Sequence, residues 1–331
     1  MQCPSDATRS TVVSVAVPVA ASVAASVAAS VSGFVAVHLA VSVTVSVAAL
    51  LLVACRHAPV AEAALPALVA AVRSRPVVLL GEVHDNAAQH SLRTQALRAL
   101  ADSGARPALL MEQFDREQQG GLDRVLARPG ASVDEVIAAG APDAAALQGW
   151  DWALYRPYLA LALQHHLPIV AANVSRADTR RVVQNGLPAL GFDATVPADI
   201  DTAQAQAIVE SHCGRLDAVQ AQRMVSAQVA RDQFMARLLE ANAAQGAWLL
   251  AGNGHVRTDI GVPRWLSAAT RARSVAIGLL EPGDDSAAAF DTAITTTAQP
   301  RPDPCESMKE IQPKSEKVSP QSNGVNGVHA E

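Results

Sequence analysis

Five side chains could do chemistry together. Glu82 and His84 stand two positions apart after Val77-Val78-Leu79-Leu80-Gly81, and Glu112 follows Ala108-Leu109-Leu110-Met111. Asn173 follows Pro168–Ala172, and His255 ends Gly252-Asn253-Gly254-His255 after Ala247–Ala251. Each apolar run reads as a strand buried on both faces, as in a parallel sheet. Two of the runs end in the same pattern, Gly-x-x-His. Polar residues at the carboxyl ends of parallel strands lie where open α/β sheets bind ligands, so the five are expected to line one cleft. Neutral imidazole with carboxylate is a donor set for a divalent metal with an open water position. Read alone, each histidine is as readily a satisfied loop residue.

The elements that must position these groups alternate along the chain. Helical spacing covers 61–74 and 87–102, the second with Leu92, Ala96, Leu97 and Leu100 as its apolar stripe and Asp85 or Asn86 as its cap. Residues 115–149 are helical but broken at Pro129-Gly130 and Gly140-Ala141-Pro142. Another helix runs from 159 to 166, residues 187–200 are loop-like, and 202–242 form one or two helices interrupted by Gly214. A fifth strand spans Ser274–Leu280. Strand–helix alternation predicts an α/β domain over 62–298, with a mostly parallel sheet, helices on both faces and helical insertions.

Between Gly149 and Tyr158 lie two of the four Trp and both Tyr of a chain that is only 3% aromatic. Such a block is either a packed anchor or a surface for a flat ligand. Trp150 and Trp152 could flank that ligand, with packing expected for at least one of them.

Residues 10–55 contain no Lys, Arg, Asp or Glu, a length beyond the roughly 20 residues that span a bilayer. Leu52-Val53-Ala54-Cys55 has the form of a lipobox. Residues 1–54 are therefore expected to be a leader, with the start inside the apolar stretch, and 55–61 a linker lipidated at Cys55. From 299 to 331 Pro, Ser, Lys, Asn and Gly dominate without apolar periodicity, which predicts a disordered tail. Cys3 leaves with the leader, while Cys213 falls in a predicted helix and Cys305 in the tail. No disulfide framework is expected, and His212-Cys213 reads as structural. A net charge of −5 without a basic stripe speaks against nucleic acid as a partner.

Five segments, in order, carry a family resemblance: Leu80–Asn86, Met111–Phe114, Gly149-Trp150 with the tyrosines after it, Ala171–Asn173 and Gly254–Pro263. Together they resemble the ChaN-like haem-binding lipoproteins, relatives of the Tiki and TraB proteins and the erythromycin esterases. The resemblance covers roughly 62–282. It implies a lipid-anchored protein of the cell envelope, expected at the outer membrane. It further implies a role in haem and iron uptake, a homodimer holding haem at its interface, and an outer-membrane haem receptor as a possible partner. It also implies a tyrosine ligand to haem iron, here Tyr155 or Tyr158, since a phenolate suits ferric iron. His165-His166 is a further candidate ligand. The wider group supports an alternative, a metal-dependent hydrolase built on Glu82, His84, Glu112 and His255, or an esterase with His84 as base.

Overall fold

The computed structural model describes residues 60–303 with Cys305 and Glu306. The leader and Cys55 lie outside these residues. The described chain forms one six-stranded sheet: β1 Val77–Leu80, β2 Ala108–Asp115, β3 Ile169–Asn173, β4 Ala247–Leu250, β5 Ser274–Leu280 and β6 Thr292–Thr295. Their order is β3-β2-β4-β1-β5-β6, and every pairing is parallel. All four residues of β1 and of β4 are buried, which explains their unbroken apolar runs at the centre of the sheet. The expected parallel α/β fold is present. Strand β6 was not anticipated, because only Ile294 of Thr-Ala-Ile-Thr is buried at this sheet edge.

The helices are α1 Val60–Arg73, α2 Ala87–Asp102, α3 Gln119–Leu126, α4 Val133–Gly140, α5 Ala144–Gln148, α6 Trp152–His165, α7 Arg176–Asn185, α8 Ala198–Ser211, α9 Ala218–Asn242, α10 Asn253–Val256 and α11 Ala268–Ala272. One face of the sheet packs Leu80, Leu109 and Met111 against Leu68 of α1, Leu97 of α2 and Leu159 of α6. The other face packs Leu79, Leu110 and Leu249 against Met235 and Leu239 of α9. A third cluster joins Val182 of α7, Ile208 of α8 and Val225 and Val229 of α9, and holds that helical insertion together. Gly214, with φ of 68°, lies in the break between α8 and α9.

The tail boundary expected at 299 is corrected by the contacts beyond it. Gln299 N–H donates to Glu281, Arg301 pairs with both Asp85 and Glu281, and Cys305 forms a disulfide with Cys213. The body of the domain therefore extends to Cys305, and the expectation that Cys213 is a lone structural thiol is wrong. Apolar periodicity could not reveal this, because the segment is held by ion pairs and one covalent bond.

Candidate functional site

A cleft of about 1080 Å³ opens over the carboxyl ends of the strands, and Glu82, His84, Glu112, Asn173 and His255 all line it. One wall carries Ala145 and Ala146 of α5 with Gly149 and Trp150, and the other carries Ser175 and Arg176 with Gln204 and Ile208 of α8. The two helical insertions thus form opposing sides of the site.

Glu82 has no exposed side-chain surface, and four groups converge on it. Its Oε1 accepts from the Tyr155 hydroxyl at 2.6 Å and lies 2.8 Å from His84 Nδ1. Its Oε2 pairs with the wholly buried Arg93, and His90 Nε2 lies 3.5 Å away. Arg93 also donates to the Leu80 carbonyl at 3.0 Å and stands over the Tyr158 ring. Burial lowers the His90 pKa, so the neutral ring donates through Nε2 to the His84 carbonyl at 2.9 Å. Glu82 holds the half-exposed His84 ring through Nδ1, which leaves Nε2 as the ring nitrogen not engaged by that carboxylate.

Glu112 receives the Gly252 N–H at 2.8 Å and lies 3.6 Å from His255 Nε2. His255 Nδ1 lies 2.6 Å from Oδ1 of the fully buried Asp232 on α9. Burial alone would depress the His255 pKa, but Asp232 and Glu112 outweigh it and raise the value. Burial opposes ionisation of Glu112 as well, yet His255, His84 and the Gly252 N–H bring its pKa below the ordinary range. The site therefore holds two histidines, each steadied at Nδ1 by a buried carboxylate. Asn173 accepts the Val174 N–H through its own Oδ1 at 2.9 Å, which closes the end of β3.

The tyrosines stand behind the cleft and do not line it. Tyr155 and Tyr158 are 1% and 0% exposed. The Tyr158 hydroxyl lies 3.1 Å from the His90 carbonyl and 3.2 Å from His90 Nδ1. Burial raises the pKa of both phenols, so neither is poised to become phenolate. The expectation from sequence is that one of them presents its oxygen to iron; in this structure neither residue lines the cleft. Their work is to hold Glu82 and His90. Trp150 lines the cleft and meets His84 edge-on at 5.0 Å, whereas Trp152 stacks on Phe114 in the core. His165 pairs with Asp102, His166 caps α6, and neither lines the cleft.

Among the described residues no group of three or more His, Cys, Asp and Glu is arranged to hold a metal ion. His255 and Glu112 are turned to one another and to Asp232 and Gly252.

The glycines opening the two Gly-x-x-His motifs have a reciprocal purpose. A Cβ on Gly81 would come within 2.2 Å of Asn253 Oδ1, and one on Gly252 within 2.9 Å of His84 Nε2. Each glycine makes room for a side chain of the other motif. The φ of Gly252 is −61°, which alanine accepts, so Gly252→Ala strains only the His84 contact. It is expected to cost about 1–3 kcal/mol and to displace the His84 ring from Glu82. Imidazole nitrogen NMR checks this, because an undisturbed His84 tautomer in the variant would show that the ring has other room.

Arg93, His90 and Asp232 were not picked out from sequence, although a signal exists. Gln89, Arg93, Ala96 and Leu100 continue one buried stripe of α2, and Asp232 sits between Val229 and Ala236 on the buried stripe of α9. A polar residue on an apolar stripe is a buried group that must have a partner.

The family described as haem-binding uptake, Tiki superfamily, ChaN, matches residues 68–266, more than half of the chain. Among solved structures the chain is similar to ChaN of Campylobacter jejuni, reported with cofacial heme binding. The TM-score is 0.59 at 19% identity, over 69% of this chain and 90% of that one. Weaker likenesses are to the type III effector HopBA1, with TM-score 0.43 and 13% identity over 71% and 94% of the two chains. Erythromycin esterase EreC, a mutant in its open conformation, gives 0.40 and 15% over 66% and 73%. No curated protein matches in sequence. On the family match, which runs from α1 through the second Gly-x-x-His motif, the chain belongs to the ChaN haem-binding uptake family of the Tiki superfamily.

Proposed function

We propose that this protein binds haem in the strand-end cleft and serves haem or iron uptake at the cell envelope. On this reading Cys55 anchors it by lipid at the outer membrane, two copies enclose the haem between them, and an outer-membrane receptor exchanges haem with it. The family match carries the reading. The residues of the cleft fit the group. His84 offers a half-exposed imidazole held at Nδ1 by Glu82, and Trp150 beside it offers an apolar edge. Arg176, Arg180 and Arg231 line the same cleft and suit two propionates. Bound haem supplies a ferric centre that accepts a nitrogen or oxygen ligand. The chain holds the His84 ring through Glu82, and Glu82 in turn through Arg93 and Tyr155.

The Leu-Val-Ala-Cys junction and the Cys213–Cys305 disulfide both support a compartment outside the reducing cytosol. Among the described residues no helix is long and apolar enough to cross a membrane, and on this reading the lipid at Cys55 is the anchor. One acyl chain holds a protein only marginally, and multiple acylation at that cysteine would make the anchor stable.

The test is a haemin titration of the purified chain followed by absorption and by sedimentation. A saturable, stoichiometric shift of the main haem band together with a rise to dimer mass is expected. Absence of a saturable spectral change would overturn the proposal. A second reading, hydrolysis with His84 as base, is favoured by the two carboxylate-steadied histidines facing one cleft. It requires ester turnover by the haem-free chain that His84→Ala abolishes.

A further inference from the structure

The segment after β6 ties the two sides of the cleft mouth together. Asn86, which caps α2, donates to the Thr297 carbonyl at 2.9 Å and to Glu281 at 2.6 Å. Gln89 donates to the Thr296 hydroxyl at 3.0 Å. Arg301 then grips Asp85, the neighbour of His84, through two bonds of 2.8 and 2.7 Å, and Glu281 through two of 2.8 Å. Four residues later the disulfide fastens Cys305 to Cys213, just past the end of α8. Four residue steps span at most about 14 Å. The His84 loop and the α8 wall are therefore held at the two ends of a short strap. Both cysteines are half-buried, and the ion pairs at Asp85 are exposed and weak by themselves.

We infer that Cys213–Cys305 is a thiol-exchange site, and that its reduction by a dithiol frees the strap and loosens both sides of the cleft mouth. In the exchange a dithiol's thiolate attacks one sulfur and forms a mixed disulfide, and the other cysteine leaves as thiolate. The second thiol of the reductant displaces the first cysteine. Two electrons and two protons pass to the protein, giving two cysteine thiols, and the reductant leaves as its own disulfide. The ligand role of the cleft rests on the haem reading, but the strap does not, so its test needs no haem.

The experiment is hydrogen exchange by mass spectrometry on the full chain, with and without dithiothreitol, beside the double variant Cys213→Ser, Cys305→Ser. Reduction is expected to speed exchange about tenfold in 84–90, 208–213 and 296–305, since closure no longer opposes local opening. The double variant should exchange at the reduced rate and ignore the dithiol. Arg301→Gln keeps the disulfide and should loosen 84–90 while leaving 208–213 unchanged. Haemin association followed separately should quicken on reduction. Exchange that responds in a chain that binds no haemin would keep the clasp and reject the haem reading. Free thiols at Cys213 and Cys305 in the unreduced chain, or equal exchange at 84–90 with and without dithiol, would overturn the clasp.

Discussion

Replacing Arg93 by methionine should cost about 3–5 kcal/mol of stability, because it strands the Glu82 carboxylate in a place without water. Neither side chain has any exposed surface, and the guanidinium is the only permanent cation on the carboxylate among the described residues. The remaining partners are His84, the neutral His90 and the Tyr155 hydroxyl, and none brings a fixed charge. Glu82→Leu should be comparably costly, since it leaves Arg93 charged and buried with the Leu80 carbonyl and Tyr158 as its neutral partners. The double replacement Glu82→Leu, Arg93→Met removes both charges and should cost well below the sum of its parts. Urea denaturation of the singles and the double decides it. A loss below about 1 kcal/mol for Arg93→Met would mean that Glu82 is protonated or hydrated in the native chain.

The second large effect concerns the iron ligand. His84→Ala should weaken haemin binding by more than the roughly 10–100-fold that removal of a supporting outer group costs. It should also abolish the spectrum of an imidazole-bound iron. Tyr155→Phe keeps the ring and deletes the hydroxyl that donates to Glu82. A hydrogen bond to a charged group contributes about 1.5–3 kcal/mol, so that variant should lose stability and retain the parent spectrum. The opposite pattern, an unchanged spectrum in His84→Ala and a changed one in Tyr155→Phe, would restore the phenol as ligand. It would require the Tyr155 ring to leave the core on binding.

The strand ends were legible because a strand buried on both faces has only one kind of sequence, and Gly81 and Gly252 mark where each stops. That Glu82, His84, Glu112, Asn173 and His255 share a cleft followed from parallel pairing alone, without strand order. The role of the tyrosines was not legible. Asp151 caps α6, and that helix carries Tyr155 and Tyr158 inward to α2, so a block that reads as a ligand surface becomes the back wall of the site. Only Trp150, ahead of the helix, remains at the cleft. Arg93 escaped because a charge in a helix is read as solvated unless its stripe is followed across neighbouring turns. Cys305 escaped because its partner is 92 residues away and no periodicity connects them.

The crossed glycines have a consequence for how such a chain can change over generations. Because Gly81 accommodates Asn253 and Gly252 accommodates His84, the two motifs are tolerant of mutation only in a fixed order. Alanine at 81 needs Asn253 to shrink first and then still meets the Ile277 carbonyl at 3.2 Å, whereas alanine at 252 becomes admissible once His84 has gone. Each intermediate gives up something first, since Asn253 also donates to the Leu279 carbonyl at 2.7 Å and ties its loop to β5. Drift at either glycine is therefore a two-locus event whose first step is selected against. Lineages that have abandoned His84 should be the ones in which the glycine at 252 is free to vary.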